Sequence, residues 1–117
     1  MQYLLLLFSE TSTFAKMTPA QQQQGMAAYQ AFTEALKGEH AFLGANRLKP
    51  ASTATTVRVA NGKSQVLDGP YAESKEELAG YYLIDAPDLD AAIAWAARCP
   101  AASHGAVEVR PLWTNSG

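Results

Sequence analysis

Two segments of this chain, Tyr3 to Phe8 and Tyr81 to Ile84, are apolar at every position. A strand with one face in water alternates apolar and polar residues, so strands that are apolar throughout are covered on both faces. Leu4 to Phe8 is also far too short for a signal core or a membrane span. The fold must therefore place two strands in the middle of a sheet and cover that sheet twice.

The rest of the chain supplies one cover. Gln2 to Phe8 is the first strand, and Ser9 to Lys16 reads as a loop. Thr18 is set to cap a helix, with Pro19 at its first position and Gln21 closing a capping box. Met26, Tyr29, Phe32 and Leu36 form its buried stripe, and Lys37 and Gly38 suit its C-terminal end and left-handed stop. Phe42 to Leu48 is a second strand and Thr53 to Ala60 a third. Asn61-Gly62 predicts a two-residue hairpin that pairs Ala60 with Lys63 and Val57 with Val66, so that Ser64 to Leu67 returns antiparallel. Tyr81 to Asp85 follows as a strand. Pro87-Asp88 starts a helix whose buried side is Leu89, Ala92, Ile93 and Ala96, stopped by Pro100. Ala106 to Trp113 is the last strand.

Setting the hairpin aside, the order is strand, helix, strand, strand, helix, strand. That is the split βαβ arrangement of an α+β, ferredoxin-like domain, here βαββαβ with an extra β-hairpin. In this topology the first and third main strands are central, and those are the two uniformly apolar segments. Two helices cover only one side of the sheet. The other side calls for a second copy, a homodimer formed sheet to sheet as in dimeric α/β barrels. A chain of 117 residues with no internal repeat and no linker is one domain, 1-117.

The polar stretch between the hairpin and the second central strand holds the densest charge: Asp68-Gly69-Pro70-Tyr71, then Glu73, Lys75, Glu76 and Glu77, ending at Gly80. Loops of this kind carry recognition and chemistry. Each residue has two readings. Asp68 is a general base or an Asx-type turn cap. Glu73 and Lys75 orient a polar ligand, or Ser74 and Glu77 close a one-turn capping box with the other charges in water. Glu108 and Arg110 share a strand face, as an anion site if that face is covered and a weak surface pair if it is not. Tyr3, Tyr71, Tyr81 and Tyr82 line an aromatic pocket or belong to core and interface. His40 reads as a solvent-facing loop residue, and Cys99 as a small core residue.

The Asp68-Gly69-Pro70-Tyr71 signature resembles the DGPF branch of the YCII-related family, with tyrosine where that branch usually has phenylalanine. The likeness extends to Tyr3-Leu4-Leu5-Leu6, Thr53 to Val59, Gly80 to Ile84, Asp88-Leu89-Asp90 with Trp95 to Arg98, and Val107 to Pro111, nearly the whole chain. The resemblance implies a ferredoxin-like dimer with a cavity, in a bacterial family of mostly unassigned function. His104 stands at a position often seen in the branch. The wider family resembles small-molecule enzymes of the muconolactone-isomerase type, some with a His–Asp pair near the start of the first helix. Pro19 to Gln24 contains no histidine, so that pair does not carry over.

Several functions are excluded. A net charge of -2 with pI ≈ 5.6 gives no grip on nucleic acid or an anionic membrane. CxxC, HExxH, GxGxxG and P-loop motifs are absent, so no metal and no cofactor are expected. The single cysteine precludes an intrachain disulfide and points to a cytoplasmic setting. Three readings remain. The first is a cofactor-independent enzyme of the lyase or isomerase kind, with Asp68, Glu73 or His104 moving protons and Tyr71, Lys75, Tyr82, Glu108 or Arg110 holding a polar metabolite. The second, implied by the resemblance, is a regulatory partner of an extracytoplasmic-function sigma factor. The third is a structural dimer without chemistry.

Overall fold

A computed structural model describes residues 1–113. β1 (Gln2–Ser9) lies between β5 (Glu77–Asp85) and β6 (Ala106–Pro111), and β2 (Phe42–Arg47) flanks the far side of β5. All three pairings are antiparallel, giving the order β2-β5-β1-β6. The two uniformly apolar segments therefore occupy the central strands of a ferredoxin-like sheet, as expected.

One face of that sheet carries the core. Tyr3, Leu5 and Leu7 of β1 and Tyr82 and Ile84 of β5 are buried in one cluster with Phe32 and Leu36 of α2 (Pro19–Gly38) and Ala92, Trp95 and Ala96 of α3 (Leu89–Arg98). The Phe32 ring stands edge-on to Tyr82 at 5.0 Å and to Trp95 at 6.1 Å, the geometry that aromatic quadrupoles favour. The opposite face shows Leu4, Leu6 and Phe8 beside Tyr81 and Leu83, all only half-buried. Register puts Asn46 and Gly44 of β2 and Glu108 and Arg110 of β6 at the margins of this open face.

Caps explain the helix limits. The Thr18 hydroxyl accepts from the Gln21 amide while the Gln21 side chain accepts from the Thr18 amide, the expected capping box. The far end differs from the expectation of a stop at Gly38. The helix includes Gly38, and the left-handed residue is His40 (φ 57). The Ala41 amide reaches the Leu36 carbonyl and the His40 amide that of Lys37, a Schellman closure that seats Ala41 and Leu36 together in the core. Asp88 caps α3 through the Ala91 amide.

Four further expectations are corrected. Within Ser9 to Lys16, Thr11–Ala15 forms a short helix, α1, because the Arg47 guanidinium stacks 4.8 Å from the Phe14 ring and anchors a turn too brief to show periodicity. On α3 the buried positions are Ala92, Trp95 and Ala96; Leu89 and Ile93 are each 49% exposed, since Trp95 rotates the contact stripe toward itself. β5 begins at Glu77, four residues before the expected Tyr81, which leaves no helical turn for a Ser74–Glu77 capping box. β6 ends at Pro111, short of Trp113, because its partner β1 runs out there: the Leu112 amide still donates to the carbonyl of Gln2, the first residue of β1.

The hairpin forms a separate two-stranded sheet, β3 (Thr55–Ala60) and β4 (Lys63–Asp68), turning at Asn61 (φ 52) and Gly62 (φ 75). Ala60 pairs with Lys63 and Val57 with Val66, as the Asn-Gly turn requires.

Candidate functional site

A cavity of about 540 Å³ opens on the helix side of the sheet, where β1 ends and β5 begins. Leu7 and Tyr82 form its floor, Phe14 and Met17 of the α1 region one wall, Tyr29 of α2 another, and Leu48 the rim. The residues lining this largely apolar space include the charged or titratable Glu10, Arg47, Lys49, Glu77 and His104.

Glu77 reaches the cavity because of a β-bulge. Leu7 pairs with Gly80 but Phe8 pairs with Leu78, so Ala79 is the extra residue. Simple alternation from Tyr82 and Gly80 would turn Glu77 to the open face. The inserted residue reverses the alternation, and Glu77 shares with Ser9 the face that borders the cavity. Its Oε1 accepts from the Ala51 amide at 3.1 Å, which ties the carboxylate to the 3-10 turn Ala51–Thr53. Arg47 pairs with Gly80 and lies on the same face, its guanidinium stacked on Phe14.

Two phenols complete the lining. Burial pushes the Tyr29 hydroxyl up to about 12, with Cys99 and Tyr82 adding to the shift and Arg47 opposing it. Burial likewise raises Tyr82, opposed by its hydrogen bond with the Thr33 hydroxyl. The Thr33 hydroxyl donates to the Tyr29 carbonyl at 2.9 Å, so in the 2.9 Å contact with Tyr82 the phenol is the donor. Both phenols stay protonated at neutral pH, and among the described residues the Tyr29 hydroxyl has no side-chain partner.

Of the residues expected from sequence to carry function, the structure brings Tyr82 and His104 to this cavity. Lys75 stands 3.5 Å from Glu10 at its edge. Asp68 ends the exposed strand β4, Glu73 is exposed, and Tyr71 is 76% exposed beneath the Arg58 guanidinium. Glu108 and Arg110 form an ion pair on the open face. His104 is exposed, with Nδ1 3.4 Å from the Ser103 hydroxyl. Glu77, Arg47, Tyr29 and Phe14 were not singled out from sequence. Glu77 lay in view within the charged run, but nothing there announces a bulge. Among the described residues no cluster of His, Cys, Asp and Glu is placed to hold a metal ion, and no helix is long and apolar enough to cross a membrane.

Residues 1–115 match the family model of the YCII-related domain. An uncharacterized protein of Rhizobium meliloti (strain 1021) is 48% identical over 68 residues, 56% of this chain and 55% of that protein, so the match spans about half of its length. Among solved structures, the 5-chloro-2-hydroxyhydroquinone dehydrochlorinase TftG of Burkholderia phenoliruptrix AC1100, in complex with 2,5-dihydroxybenzoquinone, superposes with a TM-score of 0.55 over 99% of this chain and 97% of its own, at 14% identity.

Proposed function

The chain belongs to the YCII-related domain family, and from that premise we propose that it is a small-molecule-binding homodimer whose cavity performs cofactor-independent acid–base chemistry on a polar metabolite. The observation that carries this reading is the bulge at Ala79, which brings a carboxylate into an aromatic, largely apolar cavity also lined by a guanidinium. Bulges beside active sites commonly re-aim one side chain in this way.

In the proposed reaction Glu77 removes a proton next to a carbonyl or enol of the substrate. Arg47 stabilises the oxyanion that forms, and the Tyr29 phenol donates a second hydrogen bond to it. His104 at the mouth gives a proton of its own to another carbon, or to a departing group, which completes an isomerase-like or lyase-like step. The proton held by Glu77 passes to solvent while His104 takes one up, which resets the site. A structural neighbour that holds 2,5-dihydroxybenzoquinone supports a ring of that size as a guest for this fold. Asp68 and Tyr71 take a structural part in this scheme. We place the chain in the DGPF branch on its Asp68-Gly69-Pro70-Tyr71 signature, and in the cytoplasm, in keeping with Cys99 as a buried free thiol. The half-exposed Leu89 and Ile93 of α3 favour a second reading, a regulatory partner of an extracytoplasmic-function sigma factor docking on that helix.

Thermal shift and isothermal titration with 2,5-dihydroxybenzoquinone test the first reading on wild type, Arg47→Ala and Glu77→Gln. Wild type is expected to bind, with at least tenfold weaker affinity in Arg47→Ala, while Glu77→Gln retains its bond to the Ala51 amide and binds within a few-fold of wild type. Equal affinity in wild type and Arg47→Ala, or binding abolished by Leu89→Glu instead, overturns the cavity as the site. Binding of a purified sigma factor that is lost in Leu89→Glu would favour the second reading.

A further inference from the structure

We propose that the β3–β4 hairpin is an arm that reaches across to a second copy of this chain and docks its valine face there. The inference rests on the homodimer reading and assigns to the hairpin a part that reading leaves open.

The hairpin is amphipathic. Register puts Val57, Val59 and Val66 on one face with Thr55 and Ser64, and with Asp68 at its base, and Thr56, Arg58, Ala60, Lys63 and Gln65 on the other, where Leu67 is the one large apolar residue. A ribbon of this pattern is made to lie on an apolar surface. The described residues of its own chain do not supply that surface: Val57, Val59 and Val66 are 59%, 69% and 64% exposed. An isolated two-stranded ribbon in water is marginal at best, so the arm needs a third surface to be stable.

The arm is nevertheless held firmly at its base. The Gly69 amide donates to the Ala54 carbonyl at 2.7 Å, and the Thr56 hydroxyl donates to the Gly69 carbonyl at 2.7 Å. Gly69 itself sits at φ 111, where a side chain is strained. Arg58 stacks 5.0 Å over Tyr71. The Asp68-Gly69-Pro70-Tyr71 signature thus fixes the direction in which the arm leaves the body.

That direction is outward. The described chain measures 48 × 47 × 18 Å. Its least dimension accommodates one sheet and one helix layer, and a third stacked layer would add about 10 Å. The arm therefore does not fold back over the open face of its own sheet. That face has the anatomy of an interface, with Leu4, Leu6, Phe8, Tyr81 and Leu83 at its centre and polar residues at its margins. Glu108 and Arg110 adjoin on one edge strand, so two copies related by a two-fold axis can set opposite charges against each other. Four strands of this length offer a projected face on the order of 400 Å², against the roughly 800 Å² of accessible surface per partner of a standard interface. The two arms extend such an interface beyond the stacked sheets. One chain therefore presents both an uncovered apolar sheet and an uncovered apolar ribbon, and a second copy is the occupant that satisfies both at once.

Sedimentation equilibrium on the full chain separates the arm from the stacked sheets. The variants are Val66→Lys on the apolar face of the arm, Gln65→Lys on its polar face, and Leu6→Lys on the open face of the sheet. Far-UV and near-UV circular dichroism confirm that each folds. Expected is a wild-type dimer whose dissociation constant rises at least tenfold in Val66→Lys and changes less than twofold in Gln65→Lys, with Leu6→Lys monomeric. A dimer abolished by Leu6→Lys but indifferent to Val66→Lys overturns the arm and leaves the homodimer standing. A wild type that is monomeric at every concentration overturns both. Val66→Lys and Gln65→Lys weakening the dimer equally would also overturn the arm, because bulk charge and not the valine face would then be responsible.

Discussion

The hydroxyl of Tyr82 has one role open to it, since Thr33 already directs its proton to the Tyr29 carbonyl. Tyr82→Phe should therefore cost about 1 kcal/mol in chemical denaturation, the worth of one partly buried hydrogen bond. Tyr29 offers a test by pH. Its folded pKa of about 12 lies above the ordinary value of 10.0, so between those values the unfolded chain gives up a proton that the folded chain keeps. Stability from this residue is complete below pH 10 and is lost as pH rises toward 12. Tyr29→Phe removes that part of the alkaline dependence, and base titrations followed by tryptophan fluorescence should show its midpoint displaced upward relative to wild type. Gly69→Ala places a β-carbon at φ 111 and is expected to cost about 1–2 kcal/mol in thermal unfolding, since the position has room for the carbon but not the backbone angle for it.

At the scale of elements, α2 depends on its ends. A run of four glutamines and a glycine occupies its first two turns, and its apolar stripe is firmly buried only at Phe32 and Leu36. Thr18→Ala removes the capping box and should lower stability by about 1 kcal/mol, with the loss of helicity confined to the Gln21–Gly25 end in hydrogen exchange. Features of this kind were legible in the residues: the capping box, the Asn-Gly hairpin with its register, and the two apolar strands at the sheet's centre all follow from short-range rules. The left-handed turn at His40 was not, because Gly38 offered a stop and tertiary burial of Ala41 chose another. Nor was α1, which owes its shape to Arg47 more than thirty residues away. The cavity was least legible. Glu77 reads as one more charge in a solvated run until the bulge at Ala79 reverses its face, and a bulge leaves no composition to recognise.

For the whole molecule, the radius of gyration is 16.3 Å, against about 13–14 Å for a typical domain of this length. The excess reflects the outstretched hairpin and a body two layers thick, in which Tyr3, Leu5, Leu36, Ile84 and Cys99 are the largest fully buried side chains. Dilute chain held monomeric by Leu6→Lys should accordingly unfold in urea with a slope below that of a globular domain of equal length, because less surface is newly exposed. Wild type should show a melting temperature that climbs with protein concentration, as mass action requires of a chain stabilised by its own association. A flat melting temperature across a hundredfold range would contradict that.

The amide of Ala51 and the carboxylate of Glu77 join the root of the outstretched ribbon to the floor of the cavity through a single bond. A lever and a reactive group fastened to the same pin do not move independently. A displacement of the Ala51–Thr53 turn, at the root of the proposed arm, would therefore also displace the Glu77 carboxylate, the base of the proposed reaction.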